Sequence, residues 1–223
     1  MLRYRMYIAA SNPANLPAPP IPFGGHLDYG WFGGGSAPAI VSTVDRIDYA
    51  TDTATATTRG PLSLVRGFPA ATGTSSFGWF GGGSAPALVS TVDRIDYATD
   101  TATASTRGPL SLARRGLAAT GTSSFGWFGG GRTPATVSTV DRIDYATDTA
   151  TAINRGPLSA ARYLLAATGT SSFGWFGGGR APGALSTVDR IDYATDTNTA
   201  SARGPLSLAR GGPAATQNNT AAV

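Results

Sequence analysis

Four tryptophans, Trp31, Trp79, Trp127 and Trp175, stand 48 residues apart in a chain of 223, and the same passage of sequence recurs around each. It reads Gly-Trp-Phe-Gly-Gly-Gly, then Ser-Thr-Val-Asp-Arg-Ile-Asp-Tyr-Ala-Thr-Asp-Thr, then Arg-Gly-Pro-Leu-Ser, then Ala-Ala-Thr. Residues 79–126 and 127–174 agree at 40 of 48 positions. A fixed period of this size means a solenoid, a propeller or an array, because each unit is too small to bury its apolar face alone. Helical repeats fit poorly: a Gly triplet and a Gly-Pro break every unit, and Thr is everywhere. Short strands fit well. In the third unit Ala118-Ala119-Thr120 ends a first strand and Phe125–Gly129 makes a second. A third is expected over 138–145 and a small-residue fourth over 147–152. The fold class expected is all-β, a β-propeller of four-stranded antiparallel blades.

The unit resembles the kelch repeat, a propeller blade of about 50 residues. Phe77-Gly78-Trp79-Phe80-Gly81-Gly82 is similar to the kelch strand that ends in a double glycine. The run from Val92 to Thr101 is similar to the kelch segment V-E-R-Y-D-P-x-T-N-T. Gly108-Pro109-Leu110, through Arg114 to Ala119-Thr120, resembles the stretch leading into the next inner strand. The resemblance covers residues 29–216, with one departure: the tryptophan expected two residues after Asp100 is Ala102, and the tryptophan stands on strand two instead.

Blades stack face to face, so the second strand should be apolar on both sides. Phe77 and Trp79 are expected on one face and Phe80 on the other, with Gly78 and Gly81 leaving room for a neighbour. The repeated residues Trp31, Trp79, Trp127 and Trp175, with Asp45, Asp93, Asp141, Asp189 and Arg46, Arg94, Arg142, Arg190, are therefore read as structural. The Gly triplet reads as a turn needing positive φ. A phosphate cradle is the poorer reading, since no helix follows and no Lys exists.

The last Ala-Ala-Thr, at 214–216, follows the fourth tryptophan block. It is expected to supply the inner strand of the first blade, closing the ring and hiding a sticky edge. Residues 23–29 compete for that place. Residues 1–22, rich in proline, read as an arm or linker, 23–216 as the propeller and 217–223 as a tail. Four blades in one ring splay neighbours by about 90°. The alternatives are an open row of four blades, or self-association as a dimer sharing an eight-blade ring or as a larger assembly; the sequence favours the closed monomer.

Composition narrows the chemistry. All 17 basic residues are Arg and all 13 acidic residues Asp, so Schiff-base lysines are excluded. Without Cys there is no disulfide, thiolate nucleophile or thiolate metal site. This also removes the Cys-crosslinked tyrosine that copper enzymes resembling kelch propellers use. One histidine, His26, cannot build a multi-histidine metal centre, and no nucleophile elbow accompanies it and Asp28. Carboxylate pairs such as Asp93 and Asp96 recur in every unit, which points to turn amides or pairs with Arg94 and Arg107 rather than to acid–base or calcium chemistry. No catalytic residue, cofactor or metal is expected, and the chain reads as a non-enzyme.

The net charge is +4, but the arginines recur singly beside aspartates and form no phosphate-binding stripe, so nucleic acid is not an expected partner. The N-terminal apolar run is shorter than the ~7–15 residues of a signal peptide, and no stretch reaches the ~18 of a membrane span. Localisation is left open, a surface or a virion included.

Differences among the repeats collect in the two-to-three loop (84–88, 132–136, 180–184) and in the expected four-to-one connection, at 105–106 against 153–154 and at 115–116 against 163–164. In antiparallel blades the two-to-three and four-to-one loops share one face. Arg115, Arg132, Tyr163 and Arg180 are thus candidates for a recognition face toward a glycan or protein, against the plain alternative of unconstrained turns. The function expected is a non-catalytic binding scaffold. The alternative is a structural building block of a fibre, virion or surface layer, assembling through the propeller and the N-terminal arm.

Overall fold

The computed structural model describes residues 29–216. The Pro-rich segment 1–22, His26, Asp28 and the tail 217–223 lie outside the described residues. So does residues 23–28 as an alternative inner strand.

Four blades follow one another. Blade 1 holds β1 (Tyr29–Gly33), β2 (Ser36–Ala37), β3 (Ala39–Ile40), β4 (Val44–Asp48) and β5 (Thr57–Arg59). Blade 2 holds β6 (Ala70–Gly73), β7 (Phe77–Gly81), β8 (Ser84–Ala85), β9 (Ala87–Leu88), β10 (Val92–Asp96) and β11 (Ser105–Arg107). Blade 3 is β12 (Ala118–Gly121), β13 (Phe125–Gly129), β14 (Val140–Asp144) and β15 (Ile153–Arg155). Blade 4 is β16 (Ala166–Gly169), β17 (Phe173–Gly177), β18 (Val188–Asp192) and β19 (Ser201–Arg203). Blades 2 to 4 are four-stranded antiparallel meanders in chain order, with β2–β3 and β8–β9 as small side ribbons. In register, Trp127 lies between Thr120 of the inner strand and Arg142 of the third.

Local chemistry sets the strand ends. The second strand runs into Gly82 (φ 68°) and Gly83 (φ 113°), a left-handed pair that a side chain would strain. At the end of the third strand Asp96 Oδ1 accepts from the Ala98 amide and winds Tyr97–Thr99 into one 3-10 turn. That turn corrects the sequence reading of strand four. Thr147 to Ala152 alternates like a strand, but the Asp144 cap turns it into a loop, and the outer strand begins at Ile153. The variable pairs 105–106 and 153–154 therefore sit on outer strands and not in the four-to-one connection.

The core lies between blades. Trp79, Val92, Leu110 and Leu117 of blade 2 and its exit pack against Phe128, Ile143 and Ala152 of blade 3. The same set recurs 48 residues on, with Trp127 against Phe176, Ile191 and Ala200. Trp79 stacks on Tyr145 at 3.9 Å between ring centroids, and a Cβ on Gly81 would press into the Phe128 ring of the next blade. Phe77 meets Trp79 edge-on, so the two-sided packing of the second strand is as expected.

Ring closure by the C-terminal segment is not seen among the described residues. Among the described residues blade 1 has three strands, in the order β1-β4-β5. The Ala214–Thr216 segment lies beside blade 4, where Thr168 Oγ1 donates to the Thr216 carbonyl at 3.2 Å. That is the place an inner strand of a following blade would take, because the segment continues the row of β6, β12 and β16 at the same 48-residue step.

Candidate functional site

Fifteen of the arginines fall within the described residues, and their partners sort them. The first group is interblade. Asp148 accepts from Trp79 Nε1 at 2.9 Å and Arg94 at 3.0 Å, with Arg107 at 3.6 Å. All three partners belong to blade 2 and Asp148 to blade 3. Asp100 and Asp196 repeat the arrangement with Trp31, Arg46 and Arg59, and with Trp127, Arg142 and Arg155.

The second group ties each connection to the blade it enters. Arg114 reaches Asp141 at 2.9 Å, both fully buried, while Ser111 donates to the same carboxylate from its amide and hydroxyl. Arg162 with Asp189 and Arg66 with Asp93 repeat this. Burial lowers the Arg66 and Arg114 guanidinium groups from their ordinary range, and the facing carboxylates oppose the shift.

Aspartates in structural ion pairs were readable from the repeat; their partners were not. Asp93 pairs with Arg66 and not with its neighbour Arg94, which reaches into the following blade. The sequence reading passed over Asp100, Asp148 and Asp196, Arg66, Arg114 and Arg162, and Tyr97, Tyr145 and Tyr193. Each recurs at the same 48-residue step as the tryptophans, and that was the available signal.

Six arginines remain without a carboxylate partner among the described residues: Arg115, Arg132 and Arg180, and Arg190, Arg203 and Arg210. The first three are the variable-loop candidates, and the structure brings them together. Arg115 and Arg132 exchange backbone hydrogen bonds at 3.1 and 2.8 Å, and Tyr163 and Arg180 do so at 3.2 and 2.8 Å. The Arg115 guanidinium lies 5.8 Å from the Phe68 ring centroid and that of Arg132 5.5 Å from the Tyr163 ring. A row thus runs Phe68, Arg115, Arg132, Tyr163, Arg180 across three blades, its arginines exposed. Beneath it the Gly116 amide donates to Phe68, Leu164 to Gly116 and Gly212 to Leu164. Phe68 and Leu164 hold φ of 58° and 52°, a conformation non-glycine residues rarely adopt.

The opposite face is constant and carries a groove of about 630 Å³. Its walls are the 73–76 and 121–123 hairpins, and its floor is Trp79 and Tyr145. Arg94 enters it stacked 4.5 Å over the Phe77 ring. Among the described residues no cluster of three His, Cys, Asp or Glu could hold a metal ion, and no helix is long and apolar enough to cross a membrane.

No family model matches the chain, and no curated protein matches it in sequence. Among solved structures it is similar to that of YjhT, with a TM-score of 0.66 at 13% identity. The likeness covers 82% of this chain and 64% of that one, so the chain spans less than two-thirds of its neighbour's length. At this identity the likeness carries the fold alone, and that fold is a propeller of antiparallel blades.

Proposed function

We propose that the chain is a non-catalytic interaction scaffold, kelch-like in its blades, that holds a protein or glycan partner on the Arg115–Arg132–Tyr163–Arg180 row. One observation carries the reading. Where other arginines of the inner blades are committed to aspartates, these three stand exposed, interleaved with Phe68 and Tyr163, on the face where the repeats differ. Guanidinium groups offer planar forks for carboxylate or sulfate, and aromatic rings offer faces to stack on. Arginine and tyrosine are also the residues that dominate binding hot spots. A partner bearing acidic groups fits this chemistry.

The test is binding of the labelled chain to arrays of acidic glycans and acidic peptides, for the parent and for Arg115→Asp/Arg132→Asp/Arg180→Asp. Loss of signal in the variant on any probe the parent binds supports the reading, and unchanged signal rejects it. The second reading, a structural building block, rests on a different observation: the remaining three arginines and the blade faces they occupy.

A further inference from the structure

Arg190, Arg203 and Arg210 lie on the outer face of blade 4 and its exit, and each has a counterpart in the earlier blades that is paired. Arg142 and Arg155 converge on Asp196 of the next blade, and Arg162 on Asp189. One repeat further on, Arg190 and Arg203 should meet the next such aspartate and Arg210 the one after the connection.

Blade 1 presents the complementary set. Asp52 occupies the Asp100, Asp148 and Asp196 position, and it is exposed with no ion pair among the described residues. Asp45 occupies the Asp93 position and among the described residues holds only the Thr58 hydroxyl, at 3.1 Å. Apolar groups match in the same way. Phe128 and Phe176 are fully buried against Gly81 and Gly129, while Phe32 is 62% exposed. The Gly177 position that would receive such a ring meets only Val188 and Leu206 among the described residues. A Cβ on Gly60, Gly108 or Gly156 would collide with a carbonyl of the following blade, whereas at Gly204 nothing lies within 4 Å. Tyr49 is 58% exposed, and its counterparts Tyr97, Tyr145 and Tyr193 each stack on a tryptophan. Finally, β1 has no inner partner among the described residues, and Ala214–Thr216 has the sequence of one.

We infer that the blade 4 face of one copy docks on the blade 1 face of a second copy, head to tail, repeating the internal blade interface in trans. Asp52 of the second copy accepts from Trp175, Arg190 and Arg203; Asp45 receives Arg210 and Ser207; and Phe32 seats on Gly177. Ala214–Thr216 adds to the edge of β1, in the register that pairs Ala70 with Gly81 and Thr72 with Trp79. The contact is heterologous, so copies add in one direction until the arc closes on itself.

The test is the mass of the 223-residue chain by light scattering and native mass spectrometry. Two variants accompany it: Asp45→Ala/Asp52→Ala, and Arg190→Ala/Arg203→Ala/Arg210→Ala. These side chains lie outside the three internal interfaces, so each variant keeps the parent's circular dichroism. The parent is expected as a dimer or larger. Each variant is expected to self-associate roughly a hundredfold more weakly, since one side of a charge contact is gone. An equimolar mixture of the two variants is expected to give a one-to-one complex, because each supplies the intact face the other lacks. A parent that stays monomeric at its highest soluble concentration, including one closed by its own C-terminal segment, overturns the proposal. So do variants that assemble like the parent, or a mixture that forms no complex. Substitutions at Arg115, Arg132 and Arg180 leave assembly unchanged, which separates this proposal from the recognition face.

Discussion

Blades 1 and 3 carry almost the same sequence, yet one is a packed unit and the other is half open. Phe128 is fully buried and Phe32 is 62% exposed. Trp127 is sealed between its inner strand and Tyr193, while Trp31, lacking that strand, is only partly covered. The difference is one of neighbours, not of residues. A blade here has little core of its own: its apolar groups are buried by the blades on either side, so stability is a sum over interfaces. Identical substitutions in inner and outer blades should then have unequal effects.

The largest gap is expected at the tryptophans. Trp127→Ala removes a buried indole, its stack on Tyr193 and its bond to Asp196, and should cost about 3–5 kcal/mol. Trp175→Ala removes the same side chain where no following blade covers it, and should cost under about half as much. Urea unfolding of both variants checks this. The Arg190→Ala/Arg203→Ala/Arg210→Ala background keeps copies apart during the measurement. Equal costs would mean that blades are stable singly.

The buried ion pairs come next. Asp141→Ala strands Arg114 in a fully buried site, and the expected cost is ~3–5 kcal/mol. Asp45→Ala at the same repeat position, in the Arg190→Ala/Arg203→Ala/Arg210→Ala background that keeps copies apart, leaves only the Thr58 hydroxyl unpartnered among the described residues and should stay within ~0.5 kcal/mol. Gly108→Ala and Gly204→Ala make the matching steric pair. The first drives a methyl into the Ala150 carbonyl and the second meets open space. In the Arg190→Ala/Arg203→Ala/Arg210→Ala background, which keeps copies apart, thermal denaturation should show a fall of several degrees for the first and almost none for the second. A large loss at Gly204 would mean that its face is already occupied.

Which parts of this were legible in the sequence follows from how the repeat works. Strands two and three were readable because Phe-Gly-Trp-Phe-Gly and Val-Asp-Arg-Ile-Asp carry local patterns that a pleated strand requires. Strand four was misplaced because Thr-Ala-Thr-Ala alternates like a strand, while the Asp144 cap that diverts it acts through a single hydrogen bond to a turn amide. The interblade pairs were hidden for another reason. Asp148 meets Arg94 and Trp79, 54 and 69 residues away, and in a chain of near-identical copies nothing local says which copy supplies the partner. Closure met the same ambiguity, since Ala214-Ala215-Thr216 repeats the Ala-Ala-Thr of the inner strands and nothing local names the β1 it would join. The adjacency of Arg115 to Arg132 and of Tyr163 to Arg180 follows from antiparallel blades, which put the two-to-three and four-to-one loops on one side.

Alkaline pH offers a milder way to separate the interfaces. Burial pushes the Tyr97 and Tyr193 hydroxyls up to about 12. A phenol harder to ionise in the folded state than in the unfolded one favours folding while it is neutral. That contribution is fully present below the unfolded value near ~10 and is lost as pH rises through about 12. Unfolding free energy should therefore decline over that window, and less steeply in Tyr193→Phe. A decline unchanged by that substitution would mean that the Tyr193 hydroxyl does not titrate with folding.

A modest effect is expected in the backbone ladder under the arginine row. Gly116 holds φ of 64° between Phe68 and Leu164, which hold nearly the same angle with full side chains. Gly116→Ala asks a third residue to accept that conformation and should cost about 1 kcal/mol. The ladder tolerates side chains at two of its four steps because each step is pinned by an amide bond to the adjacent one. If Gly116→Ala proves silent, the pinning by neighbouring blades outweighs residue preference even at the rim. The row above it would then owe its rigidity to the stack of blades and not to its own turns.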